Sequence, residues 1–211
     1  LYNYCMIFTS TCAGCHEPGP QLCRRCRFTL ASASSVRVDG GIRAAVPFDG
    51  LARQLVLGLK FRNRRSVAKV LATQMIQRLR LSDGRIDVIT WAPTSTTRAG
   101  KRGFDQAELI ARAIAHELRI PCRRLLYRQH HSGPQSGQRR SGRLNTPRFR
   151  ARVGFDQLHV LVVDDVVTTG ATLHAAGQAL AQAGIGRVSL VAAAAAGAQV
   201  LGPSTTMRLA C

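Results

Sequence analysis

Lysine is almost missing from this chain. Of its 30 basic residues only Lys60, Lys69 and Lys101 are lysine, and the rest are arginine. Acidic residues are also few, 11 in 211, so the formal net charge is +19. That charge favours anionic partners such as nucleic acid, polyphosphates or sugar phosphates. Arginine excess together with abundant alanine is also what a GC-rich genome produces, so the charge has a second explanation unrelated to binding. Aromatic residues make up only 5%, and none cluster with the arginine-rich loop that follows residue 128. Single-strand binders pair basic grooves with stacking rings, so this counts against such a role. Long apolar runs are absent: the Ala-rich Val188 to Ala198 falls short of the roughly 18 to 20 residues that a membrane span needs. The first residues do not join a basic stretch to an apolar one, so no signal peptide is expected and a cytoplasmic location is. A length of 211 residues and 45% hydrophobic composition suit one ordinary domain with a small appendage.

The stretch that carries most information runs from Val160 to Leu173, VLVVDDVVTTGATL. Val160, Leu161, Val162 and Val163 predict a short strand buried on both faces. Asp164 and Asp165 follow, then Val166, Val167 and the turn Thr168-Thr169-Gly170-Ala171-Thr172, then a helical pattern from Leu173 to Ala183. A loop of this kind offers one phosphate its backbone N–H groups, three hydroxyls and the positive end of a helix. Gly170 permits close backbone approach. Carboxylates beside a phosphate cradle repel the phosphate and must serve otherwise, by accepting hydrogen bonds from sugar hydroxyls or by holding Mg²⁺. A ribose 5-phosphate satisfies both halves.

Seven cysteines are unevenly spread. Cys12, Cys15, Cys23 and Cys26 form C-x2-C-x7-C-x2-C, while Cys5, Cys122 and Cys211 stand alone. Two such knuckles complete a tetrahedral site, and four thiolates leave no open position, so a structural zinc is expected. In a cytosolic protein disulfides explain the pattern less well. His16 is either a substitute ligand or a solvated loop residue.

Ser32 to Ser35 read as a linker, which divides the chain into a module at 1–35 and a main domain at 36–211. Val36 to Val46 predicts a strand pair turning at Asp39-Gly40-Gly41. Two amphipathic helices follow, one capped by Asp49 and carrying Leu51, Leu55, Val56 and Leu59, the other from Val67 to Leu79. A basic turn, Lys60 to Arg65, separates them. Ile86 to Trp91 predicts a buried strand, and a helix capped by Asp105 runs to Leu118. The loop between them, Ala92 to Gly103, contains Arg98, Lys101 and Arg102, the residue types that grip a pyrophosphate. Residues 123 to 157 are expected to be irregular and strongly basic, a candidate lid over a charged substrate. Arg187 to Ala195 predicts a further strand.

The hydrophobic run, acidic pair and T-T-G-x-T loop resemble the PRPP-binding motif of type I phosphoribosyltransferases. The whole order is similar to the ComF family, competence-associated proteins that join a four-cysteine zinc module to a phosphoribosyltransferase fold. The paired C-x2-C, Leu59-Lys60-Phe61, Lys101 to Gln106 and VVDDVVTTGAT carry the likeness, with a looser match at Gln135, Arg143, Asn145 and Phe149. Two departures are Asp105, where the family usually has Asn, and Ala92-Pro93 in place of Pro-x-Pro.

The resemblance implies an α/β fold, a mainly parallel sheet flanked by helices, and transfer of phosphoribosyl from PRPP to a nitrogen acceptor with release of pyrophosphate. It implies that Asp164 and Asp165 face the ribose hydroxyls and act in catalysis, that Thr168 to Thr172 wrap the 5-phosphate, and that Mg²⁺ accompanies PRPP. The alternative it leaves is a non-catalytic DNA-uptake accessory that contacts single-stranded DNA or a helicase partner. A test of the zinc expectation is direct: chelation should unfold the N-terminal module, lowering the melting temperature and the circular dichroism signal. Unchanged signals in both would exclude a structural metal.

Overall fold

The computed structural model describes residues 10–81, 85–95, 100, 103–129 and 146–197. Its frame is a five-stranded sheet formed by β1 (Val36–Val38), β2 (Ile42–Pro47), β3 (Val88–Trp91), β6 (His159–Val167) and β7 (Arg187–Ala195), in the order β1-β2-β7-β6-β3. Only the β1–β2 pair is antiparallel, turning through a short 3-10 segment at Asp39–Gly41; β2, β7, β6 and β3 run parallel. Among the described residues the helices are α1 (Arg24–Ser32), α2 (Gly50–Phe61), α3 (Val67–Arg78), α4 (Gln106–Leu118) and α5 (Ala171–Gln182).

Parallel strands need covering on both faces, and the side-chain alternation of β6 shows how this is achieved. Leu161 and Val163 join the core beneath α2, α3 and α4, with Leu55, Leu71 and Ile110. Val160 and Val162 join a second core with Leu173, Ala176 and Leu180 of α5. Beyond α4, the chain returns beside β3, where Arg123 N–H donates to the Ile89 carbonyl. The Leu125 N–H donates to the buried Thr90 hydroxyl at 3.2 Å.

The helices and strands expected on either side of the acidic pair are present. Three expectations need correcting. The strand holding the acidic pair does not end at Val163: β6 pairs with β7 as far as Val167 and Ala195, while its pairing with β3 stops at Val163 and Trp91. The apolar run reports only the part with a neighbour on each side. The 123–157 stretch, expected to be irregular, contains an antiparallel pair of β4 (Leu126–Arg128) and β5 (Phe149–Ala151), packed on the second core through Leu126 and Phe149. Three-residue strands leave too short an alternation to read from sequence. Residues 130–145, which hold His130, His131, Gln135, Arg143 and Asn145 of the expected lid, lie outside the described residues. Asp49 precedes α2, but its side chain makes no capping hydrogen bond.

The cysteine-bearing segment packs directly on the main domain. Cys12, Leu22, Cys26 and Leu30 belong to the same core as α2 and α3. Arg78, at the end of α3, donates its guanidinium N–H groups to the carbonyls of Leu30 (2.8 Å), Ala31 (2.7 Å) and Ala33. It thereby satisfies the last carbonyls of α1, which a helix leaves without internal partners. Arg78→Ala removes these charge-assisted bonds and should cost about 1–2 kcal/mol. Melting should fall by roughly 2–4 °C for each kcal/mol in a chain of this size, measured by thermal denaturation of the metal-loaded protein.

Candidate functional site

Past Val163, β6 continues without β3 at its side, and this overhang makes one wall of a cleft. The cleft encloses about 200 Å³ and is lined by Lys60, Ala92 to Thr94, Asp105 to Ala107, Arg128, Asp164 to Val166 and Thr172. A smaller cup of about 40 Å³ adjoins it, lined by Asp164 and Val166 to Leu173. Asp164, Val166 and Thr172 border both compartments. All nine residues from Asp164 to Thr172 expected to hold a sugar phosphate therefore line one continuous depression.

The cup is shaped by the turn from strand to helix. Gly170 caps α5 with a left-handed backbone, φ 78° and ψ −5°. A Cβ at that position would lie 2.7 Å from Ile42 Cδ1 and 3.0 Å from His174 Cδ2. Both the torsion and the space demand glycine. The turn is therefore pressed against β2 and the first turn of α5. Thr168 and Thr169 are exposed at the rim, and Thr172 is half-buried.

The acidic pair splits by strand alternation. Asp165 follows Leu161 and Val163 toward α2, where its Oδ2 meets Lys60 Nζ at 3.0 Å. Asp164 accepts the backbone N–H of Asp165 at 2.8 Å. Its carboxyl is held well above the usual range, chiefly by burial, with the Asp165 charge adding to the rise and Lys60 opposing it. Asp105 is a third carboxyl at the cleft. It caps α4, accepting Ala107 N–H at 3.1 Å, and also accepts Thr94 N–H at 2.8 Å from the end of β3. Burial raises its pKa despite these bonds. The Asp105 carboxylate is thus engaged largely in joining two backbone segments.

Arg98, Lys101 and Arg102 lie outside the described residues. Lys60, Arg128 and Gln106 line the cleft without having been singled out as ligand residues from sequence. For Lys60 there was a signal, since Leu59-Lys60-Phe61 is part of the family likeness. Gln106 likewise closes the Lys101 to Gln106 segment of that likeness, and Arg128 falls in the basic 123–157 stretch, but the β4–β5 pair and the first turn of α4 are what bring them to the cleft.

The four expected metal ligands do come together: the Sγ atoms of Cys12, Cys15, Cys23 and Cys26 all lie within 4.8 Å of one another. A tetrahedral Zn–S distance of about 2.3 Å corresponds to sulfur separations of roughly 3.8 Å, so the donor set fits a structural zinc. Backbone N–H groups point at the sulfurs, from Gly14 and Cys23 to Cys12 at 3.4 Å each and from Cys26 to Cys23 at 3.5 Å. Burial raises the Cys12 thiol, but the N–H donors of Cys23, Cys15 and Gly14 outweigh it and bring the pKa to about 6. Cys26 is pushed up to about 12 by burial and by its thiol neighbours. Such crowding of thiols resists full ionisation unless a cation sits among them. His16 Nε2 lies 3.2 Å from Arg62 Nη1, and the imidazole is outside the sulfur cluster. No helix among the described residues is long and apolar enough to cross a membrane.

Residues 105–208 match the phosphoribosyl transferase domain. The DNA utilization protein YhgH of Salmonella typhi is 34% identical over 148 residues, covering 64% of this chain and 63% of that protein. The chain thus spans less than two thirds of the length of this relative. The competence protein ComFC of Bacillus subtilis is 30% identical over 104 residues, 46% of this chain and 39% of its own length. Among solved structures, the glutamine PRPP amidotransferase of B. subtilis overlays with a TM-score of 0.39 at 23% identity, covering 62% of this chain and 26% of that one.

A raised folded-state pKa means that the native state binds the Asp164 proton more tightly than the unfolded chain. Stability is then lost as pH rises from the ordinary carboxylate range through the raised value. Without divalent cation, Asp164→Asn should therefore melt higher than wild type at pH 7. The gap should close below about pH 4, where the carboxyl is protonated in both states. Thermal melts of both proteins across this range would check the sign.

Proposed function

We propose that this chain, a ComF-family phosphoribosyltransferase-like protein, binds PRPP in the cleft and cup and transfers its phosphoribosyl group to a nitrogen acceptor, releasing pyrophosphate. The observation that carries this reading is the joining of two compartments at Asp164, Val166 and Thr172. The cup, of about 40 Å³, is close to the scale of one small anionic group. The larger compartment has room for a ribose and what it carries.

In this reading Thr168, Thr169, Gly170, Ala171 and Thr172 receive the 5-phosphate. The start of α5 supplies the N–H groups that a helix N-terminus leaves available to an anion. Asp164 and Asp165 accept hydrogen bonds from the ribose 2- and 3-hydroxyls. Arg98, Lys101 and Arg102 neutralise the pyrophosphate. The C1–O bond to pyrophosphate breaks as the C1–N bond forms, and positive charge develops on the sugar ring. Fixed carboxylates close to that charge lower the barrier because they need not reorganise when it develops. The cleft's carboxyl oxygens suit a hard divalent cation, with Asp164 and Asp165 as the residues that would hold Mg²⁺. When bound, Mg²⁺ supplies charge neutralisation for the leaving pyrophosphate. The sulfur cluster holds zinc in a structural role.

The names of the relatives, DNA utilization and competence, suggest that the protein serves the handling of DNA. Contact with single-stranded DNA or a helicase partner is compatible with the +19 charge and with a non-catalytic use of the same fold.

Isothermal titration of PRPP with and without Mg²⁺ tests the reading. Wild type should bind in the micromolar range, more tightly with Mg²⁺. Asp165→Asn should weaken binding by about tenfold or more, as expected when a charged hydrogen-bonding partner is lost. Zinc content should stay the same. Unaltered affinity in the variant would remove Asp165 from the site.

A further inference from the structure

We infer that Lys60 binds the pyrophosphate arm of the sugar phosphate, and that the four-cysteine module seats it in the cleft through α2. This rests on the reading of the cleft as a PRPP site. Lys60 occupies the last turn of α2 and lines the larger compartment together with Ala92, Pro93 and Thr94, at the base of the basic loop. It does not line the phosphate-sized cup. The same compartment is bordered by three carboxyls, Asp105, Asp164 and Asp165. A polyanion entering it meets unfavourable charge unless cations are built into the wall. Among the described lining residues, those cations are Lys60 and Arg128. An ammonium carries three N–H donors, and the 3.0 Å contact with Asp165 Oδ2 uses one. With side-chain exposures of 22% and 12%, the pair is largely withdrawn from solvent. Desolvation offsets most of what such a pair gains, so it is weak evidence of a stabilising role, and a ligand-binding role accounts for its place in the cleft wall.

The position of Lys60 depends on what α2 rests on. At its N-terminal end, Leu51 abuts the first cysteine knuckle: a Cβ on Gly14 would fall 2.4 Å from Leu51 Cδ1 and 2.8 Å from Cys26 Sγ. Just beyond its C-terminal end, Arg64 donates to the Cys12 carbonyl at 3.1 Å and to the Thr11 hydroxyl at 3.2 Å. Arg62 meets His16 at 3.2 Å. Lys60 therefore lies on a helix held to the knuckle at both ends. A change in knuckle geometry shifts α2 against β6, and with it the ammonium facing Asp165.

The test compares metal-loaded wild type, Lys60→Gln, Gly14→Ala and the double variant, titrated with PRPP plus Mg²⁺ and, separately, with ribose 5-phosphate. Lys60→Gln should bind PRPP about tenfold more weakly, the loss of one charge-assisted bond, with ribose 5-phosphate affinity unchanged. Gly14→Ala should weaken PRPP binding several-fold in the wild-type background and add nothing to Lys60→Gln. If Lys60→Gln binds PRPP as wild type does, or loses both ligands equally, the pyrophosphate assignment is wrong. If the Gly14→Ala loss adds in full, the module does not act through Lys60. Should wild type itself fail to bind PRPP, the reading of the cleft falls first and this inference with it.

Discussion

The site depends on one strand outrunning its neighbour. β6 keeps its hydrogen bonds to β7 through Val167, but loses β3 after Val163. From Val160 to Val163 its side chains are walled in on both faces and are apolar. Beyond Val163, one edge opens, and polar side chains can reach a cleft while the backbone remains anchored on the other edge. Ligand sites in open α/β sheets form beyond the carboxyl ends of strands for this reason. Here the carboxylates lie on the strand itself, so the sheet rather than a loop sets their directions. Alternation turns Asp165 toward α2 and Lys60, and leaves Asp164 bordering both compartments. The raised pKa of Asp164 follows from that depth, because burying a carboxyl disfavours its charged form.

A second constraint is the contact between turns far apart in sequence. His174, in the first turn of α5, approaches the Asp39 carbonyl with Nε2 at 3.3 Å. A Cβ on Gly40 would lie 2.1 Å from His174 Cε1. Gly40 and Gly170 thus admit the same imidazole from two sides, and each has a left-handed backbone. The β1–β2 turn braces the phosphate-sized cup, which links the geometry of the cup to the edge of the sheet.

The cysteine cluster belongs to the same body of contacts. Its buried members share a core with α2 and α3, and arginines from both ends of α3's surroundings, Arg64 and Arg78, bond to its backbone. A short loop with four close thiols has little apolar area of its own, and docking on the main domain supplies the burial it lacks. Docking also gives the module a mechanical route to the cleft, because α2 lies between them.

Much of this was legible in the amino-acid order. The paired C-x2-C spacing brings four sulfurs together because each knuckle is a local turn, and V-L-V-V-D-D with T-T-G-A-T encodes strand, turn and helix within fourteen residues. These are local or strictly periodic signals, so sequence by itself determined the strand–turn–helix unit with its small cup and the sulfur cluster, while the mainly parallel sheet was implied by the family resemblance. Tertiary structure alone decided where β6 loses its neighbour, that β4 and β5 pair across a gap of 20 residues, and that Lys60 reaches Asp165 from 105 positions away. Sequence patterns report the burial of each segment and its turn chemistry. They do not report which distant surface supplies the burial, and in this protein that choice places the cations beside the carboxylates.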